Sequence, residues 1–410
     1  MLEVMIMRRN LRWALLSFLL ISSAALAQSD APLNPSGHVR FRVLYDFKGA
    51  EDGAFLYGGL ARDPKGSLFG VTFVNGGAKG GGALFKLARE GTGYKLKVLH
   101  DFVYHPAGGC MTTPVFDGEG NLFGVCGDGI EGGEDGALWE FSHQGKFSIL
   151  HVFNGVADGS EPEDAVALDD SGNIYGTTYT YGSGGSGTLW EYSRWSRTFT
   201  VLHSFSNGSD GGLLPAGPTL DSRGKLWGTT EFGPNCYYCG SGTMWSYDLA
   251  SGTFSTVLDF GSTDVFGPTS RLAPDREGNF YGTGSGTTGN CGLVFELEKD
   301  NNYAPVILYS FIGPIGQSGD GCSPLGAVAL DKHGHLLGTT YFGGSPNWGT
   351  VYMLSRKQSG WEETILHSFA ANDGYGPDGG LVEGEGRWFG TTAFGGAVGE
   401  GVIFEISGGK

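Results

Sequence analysis

A glycine that follows an aromatic residue or leucine, and is usually followed by Thr-Thr, returns seven times: Gly70, Gly124, Gly176, Gly228, Gly282, Gly338 and Gly390. The steps between them are 54, 52, 52, 54, 56 and 52 residues. A period that regular belongs to a repeat architecture, in which each unit buries its apolar face against its neighbours. Each unit divides into four short apolar runs. In the third they are residues 164–169, 173–178, 187–192 and 200–205, rich in β-branched and aromatic residues and bounded by Gly, Asp, Asn or Ser.

Four antiparallel strands in about 50 residues is the pattern of a β-propeller blade. The expected fold is therefore all-β, a seven-bladed propeller of four-stranded blades over residues 40–407. The ends support a ring. The chain opens with a fourth-type strand, Phe41-Arg42-Val43-Leu44-Tyr45-Asp46-Phe47, and closes on a third-type strand, residues 401–406. Joined, the two complete one blade and bury edges that would otherwise pair with other chains. The first strand of each blade is expected to line the channel and the fourth to form the rim. An acid followed three residues later by glycine heads the first turn: Asp63, Asp117, Asp169, Asp221, Asp275, Asp331 and Glu383. Asp accepts backbone N–H groups there, and Gly takes the positive φ.

Seventy-five glycines among 410 residues, with 27 Phe, 17 Tyr and 9 Trp, fit short strands and tight turns better than disorder. Arg8, Arg9 and Arg12 precede an apolar run, Trp13 to Ile21, too short to span a bilayer. Ala25-Leu26-Ala27 follows as a cleavage site, so residues 1–27 read as a signal peptide, with Met1, Met5 or Met7 as the start. Residues 28–39 read as a linker and 408–410 as a tail. The mature protein is expected outside the cytoplasm, extracellular or periplasmic, monomeric and without a membrane anchor. Loss of three arginines and Glu3 takes the net charge from −17 to −19. A surface that acidic repels phosphate backbones, which argues against a nucleic-acid partner.

The strand Val-Leu-His-x-Phe, the Gly-Asn-x-Tyr-Gly-Thr-Thr run and the Gly-Thr-x-Phe-Glu-Leu run together resemble the GloVer tandem repeat of exported bacterial surface proteins. The resemblance covers nearly all of residues 41–407. It implies the repeat and export, and no particular activity. The consensus breaks at Cys126 and Gly284, which replace the second Thr, and at Val257-Leu258-Asp259-Phe260, which reads one residue short.

Six cysteines in an exported chain permit disulfides. All fall in or beside loops of one propeller face. Adjacency on the ring favours Cys110–Cys126, Cys236–Cys239 and Cys291–Cys322 among fifteen connectivities. A redox Cys-x-x-Cys at Cys236 and Cys239 is the alternative, though such pairs normally sit at a helix N-terminus.

His100, His151, His203 and His367 share one repeat position on the outer strand. They stand on different blades, so packing suits them better than metal ligation. Asp158, Glu161, Glu163 and Asp164 gather where the third blade is entered. Oxygen ligands at short spacing suit calcium, but they do not match the twelve-residue calcium loop, and a solvated acidic loop is the plainer reading. No cofactor is expected beyond that one candidate cation. Aromatics follow the Thr-Thr strand on the cysteine face: Phe73, Tyr181, Phe232, Phe342 and Phe394. With Trp348 and the Tyr237-Tyr238 pair they are candidate platforms for sugar rings or apolar side chains, set against packing between blades. Ligand contact is expected at Trp348, Tyr237, Tyr238, Tyr181 and Phe342. No nucleophile elbow, zinc helix or phosphate loop appears, and no catalytic residue is assigned. The leading expectation is a binding module for an extracellular glycan or a surface protein. A calcium-dependent lactonase, lyase or hydrolase is the alternative, and would need polar groups converging in the channel, where Glu163, Asp164 and Arg271 lie. A purely structural envelope protein is the third.

Overall fold

The computed structural model describes residues 39–75, 79–103, 109–127, 134–213, 216–233, 242–285, 290–312 and 320–408. Seven four-stranded antiparallel sheets form the ring of a seven-bladed propeller. Blades 1 to 7 begin at Ala61, Val115, Ala167, Thr219, Ala273, Ala329 and Val382. In blades 1 to 6 the strands lie side by side in chain order. Blade 7 takes its outer strand, Val39–Asp46, from the other end of the chain, paired with Val402–Gly408. The ring is closed by that shared blade, as the chain ends implied.

The repeating glycine has a packing reason. Gly124, Gly176 and Gly228 lie opposite Trp139, Trp190 and Trp245 of the third strand. A Cβ on them would stand 2.3, 2.2 and 2.3 Å from the indole. Phe85, Phe295, Tyr352 and Phe404 fill the same place in the other blades. The glycine leaves room for the largest ring of each blade, and those rings are buried at the centres of the seven apolar clusters between sheets. The second Thr closes the strand: Thr178, for example, accepts the Thr188 N–H at 2.9 Å in the buried interior.

On one face, the turn acids behave alike. In Asp117, Asp169 and Asp221, Oδ1 accepts the N–H two and four residues on, at 2.8–2.9 Å. Asp63, Asp275 and Asp331 repeat the arrangement. Glu383 does not join them. It pairs with Trp388 inside the hairpin, Gly384 stands opposite Arg387, and the turn is made by Glu385 and Gly386, so blade 7 has a tighter turn with no acid at its head.

The fourth strands carry a bulge at Leu99, Leu150, Leu202, Leu308 and Leu366, one residue before the histidine position. The same bulge falls at Val257, since Met244 pairs with Leu258 and Trp245 with Thr256. That strand is therefore full length, with Leu258 at the position that histidine holds in blades 1, 2, 3 and 6. The histidine and the Phe two positions on share a face by ordinary strand alternation. Each histidine then lies flat on a phenylalanine of the next blade. His100 stacks on Phe147, His151 on Phe199, His203 on Phe254 and His367 on Phe41, with centroids 3.6–3.7 Å apart. The packing expected for these histidines is thus present, and an Asp partner accompanies it at His151, His203 and His367. His151 meets Asp158 at 2.8 Å, His203 meets Asp210 at 3.1 Å, and His367 meets Asp373 at 3.2 Å.

The candidate functional face and channel

Every inner strand enters from the face opposite the acid turns. Just before it, the chain adopts a left-handed residue in blade after blade: Phe55, Glu161, Leu213, Gly267, Ser323 and Gly376, with φ between 46° and 64°. Its carbonyl accepts an N–H from the end of the second strand, for example Tyr179 to Glu161 at 3.1 Å and Tyr341 to Ser323 at 3.0 Å. Four of the six are not glycine, and non-glycine residues held there store strain of roughly 1 kcal/mol or more each.

Both described disulfides belong to this face. Cys110–Cys126 ties the entry of blade 2 to its own second strand, and Cys291–Cys322 ties blade 5 to the entry of blade 6. Cys126 occupies the place of the buried second Thr, so the sulfur replaces a hydroxyl hydrogen bond. Cys236, Cys239, Tyr237 and Tyr238 lie outside the described residues.

The four acids near blade 3 are not a solvated loop, and they do not meet at one point. Asp158 is buried and faces the rim, bound to His151. Glu161 is buried too and is the left-handed residue of its blade. Asp164 faces the channel, its two oxygens accepting the N–H groups of Ala165 and Gly217, each at 2.6 Å. Gly217 is required by that approach: a Cβ would stand 2.4 Å from the Ala165 carbonyl. Glu163 precedes Asp164 on the channel strand and is half-buried. Among the described residues, no group of three or more His, Cys, Asp or Glu is placed to hold a metal ion.

The aromatic candidates divide. Phe232 and Phe394 are buried, while Phe73, Phe342 and Trp348 are half-buried. Tyr181 is 54% exposed, with φ 60°. Its loop is bonded to the one carrying Val156, which is 80% exposed, through Gly182 N–H to the Gly155 carbonyl at 3.0 Å. Phe342 lies against Tyr341, and its backbone pairs with Cys322. Trp348 stands 4.5 Å from Tyr375, which stacks on Phe394 at 5.1 Å. Phe394 in turn meets Phe55 and Tyr57, and Tyr57 meets Phe73. A continuous chain of rings thus crosses blades 6, 7 and 1. Tyr375, Phe55 and Tyr57 were not legible as members of it. The available signal was weak: Tyr375 is flanked by glycines and followed by Pro377, and Phe55 lies just after the Asp52-Gly53 pair.

At the axis, the residue two positions before each inner strand is Gly59, Thr113, Ala165, Gly217, Ala327 or Gly380 in six blades, and Arg271 in blade 5. Arg271 reaches past blade 4 to blade 3. Its Nε donates to Thr219 Oγ1 of blade 4 at 3.3 Å, and Nη1 to the Val166 carbonyl of blade 3 at 3.4 Å. Burial pushes its guanidinium below the ordinary value and Asp164 opposes that shift; an arginine so placed stays charged.

Comparison of the sequence with curated proteins returns no match. Among solved structures the ring is similar to an extracellular domain of a one-component system protein of B. thetaiotaomicron, at TM-score 0.54 and 12% identity, covering 88% of this chain and 40% of that one. It is also similar to PorZ, a surface component of the type-IX secretion system of Porphyromonas gingivalis, at TM-score 0.51 and 15% identity, over 89% of this chain and 48% of that one. An oligogalacturonate lyase of Vibrio parahaemolyticus matches at TM-score 0.52 and 10% identity, over 90% and 98%. The chain spans less than half the length of the first two, and identities this low speak for the fold alone. At the level of sequence, the Gloeobacter/Verrucomicrobia repeat matches residues 32–170, 133–290 and 278–410, and the chain belongs to that family.

Proposed function

We propose that this protein is an exported binding module that meets an extracellular glycan or a surface protein through its cysteine-bearing face. The observation that carries the reading is the concentration of features there. Two disulfides anchor entry loops, a chain of rings runs from Trp348 to Phe73, and Tyr181 stands exposed in a left-handed backbone. A strained, exposed aromatic on a glycine-rich loop contributes little to packing and suits contact with a ligand. Disulfides lower the entropy lost on binding, so loops fixed by them suit recognition. The turn face, by contrast, repeats one hydrogen-bonded device.

Export is supported by the disulfides and by the basic and apolar N-terminal sequence. Among the described residues, no helix is long and apolar enough to cross a membrane.

The test is a screen of the mature protein against immobilised extracellular glycans and surface-protein extracts, repeated with Tyr181→Gly and Trp348→Ala. Tyr181→Gly removes the ring and relieves the left-handed strain. It should weaken binding by about 1–3 kcal/mol without lowering stability. Trp348→Ala should weaken binding comparably, with some loss of stability from the Tyr375 contact. Binding that survives both substitutions would place the contact elsewhere.

A further inference from the structure

Arg271 breaks the repeat where neighbouring inner strands approach one another. Six blades place glycine, alanine or threonine there, which lets neighbouring inner strands close on one another. A Cβ on Gly59 would stand 3.0 Å from the Gly380 carbonyl, and one on Gly380 the same distance from the Ala327 carbonyl. At this position blade 5 alone carries a long side chain, and that side chain is a cation.

Its surroundings do not neutralise it. The two bonds it makes are long and go to neutral oxygens, 3.3 Å to a hydroxyl and 3.4 Å to a carbonyl. Among the described residues no carboxylate is close enough to form an ion pair with it. Asp164 acts only at longer range, and both its oxygens are engaged by backbone N–H groups. A guanidinium offers five donors in a planar fork, so donors remain for another acceptor. The side chain is reached from three blades, and the residue as a whole is half-buried. Enclosed cations are normally paired with an anion. Here, in a chain of net charge −17, no described residue supplies that anion within ion-pair distance.

We propose that the channel binds a small carboxylate, or the carboxylate end of a larger molecule, on Arg271. A planar carboxylate matches the fork with two parallel hydrogen bonds. The equivalent positions of the other blades carry only short side chains, and the Asp164 charge nearby disfavours a dianion such as phosphate. The Thr219 hydroxyl, already in contact with Nε, holds the fork in place by donating its own proton to the Leu272 carbonyl at 2.6 Å. This site lies on the axis and does not rest on the role given to the aromatic rim.

The experiment measures thermal stabilisation of the full mature protein by D-glucuronate against D-glucose, and by N-acetylglycine against N-acetylglycinamide. The carboxylates should raise the melting temperature saturably and their neutral twins should not. The acid that saturates at the lower concentration identifies a sugar acid or a peptide carboxylate as the source. Arg271→Met should weaken the effect about tenfold or more, and Arg271→Lys, which keeps the charge and loses the fork, should weaken it less. Hydrogen exchange on the wild-type protein supplies a reading that needs no variant. The better acid should protect residues 164–167, 217–220 and 269–273. The proposal is overturned if neither acid outperforms its twin, if Arg271→Met responds as the wild type does, or if protection falls outside those strands.

Discussion

Between blades 2 and 3, His151 lies flat on Phe199 and bonds Asp158. Between blades 5 and 6 the same two strand positions hold Tyr309 and Glu363, and the stack is gone. Tyr309 instead contacts Asp320 at 2.5 Å and Glu363 at 3.2 Å. One phenol proton cannot serve two carboxylates. Burial, with the Asp320 charge second, pushes the Glu363 carboxyl up to about 8, against an ordinary 4.5. Near neutral pH a protonated Glu363 therefore donates to Tyr309, which donates to Asp320. Next to this proton chain, Cys291–Cys322 bridges the two blades. The repeat thus specifies a slot and not a chemistry: an aromatic stack fills it at one junction, and shared protons beside a disulfide fill it at another.

Covalent bridging is expected to make the larger difference. Replacing Cys291 and Cys322 by Ala should cost about 3–4 kcal/mol in denaturant unfolding, the usual value for a loop of that length. A loss below about 1 kcal/mol would mean that junction 5–6 holds without its bridge. His151→Ala removes the stack and leaves buried Asp158 without its donor, and should cost about 2–3 kcal/mol. If it costs no more than a surface change, the stacked junction is not a source of stability.

The two junctions should also titrate in opposite directions. Burial lowers the His151 pKa, with Asp158 opposing it. The unfolded chain then binds the extra proton, and this contribution is lost as pH falls below about 6.5. Glu363 is raised, so the folded protein holds the extra proton, and stability is lost as pH rises from about 4.5 toward 8. Glu363→Phe, which restores the residue type found at the stacked junctions, should gain roughly 1–3 kcal/mol at pH 8 and less at pH 5. An equal effect at both pH values would show that Glu363 is ionised throughout. The smallest effect is expected from Phe147→Leu beneath His100, about 0.5–1.5 kcal/mol, since Leu96 already serves under Tyr45 at the junction of blades 7 and 1.

Much of the ring was legible because one glycine recurs for one reason, the ring it leaves room for. The closing strand was legible from the unmatched runs at the two ends. The turn acids were too, except at Glu383, where a hairpin one residue tighter moved the turn onto Glu385. The run at Val257 reads short because Leu258 stands where the other fourth strands carry histidine or tyrosine, which slides the Val-Leu pair one residue along the motif. The His–Asp pairs were written at a spacing of seven, His151 to Asp158 and His203 to Asp210, yet only the fold shows that the loop returns to its own strand. The acids of blade 3 could not be sorted by spacing. Asp158 turns to the rim and Asp164 to the axis, because the backbone between them passes through the left-handed Glu161. The chain of rings was hidden for a similar reason, since its members come from three blades.

The claim that recognition belongs to the cysteine-bearing face is tested most directly by hydrogen exchange on the mature protein, with and without the glycan or surface protein returned by the screen. The account predicts slowed exchange in residues 155–161, 179–187, 341–349 and 374–378, and none in the acid turns at 63–67, 117–121 and 169–173. Protection of those turns, with the cysteine-bearing loops unchanged, would contradict it.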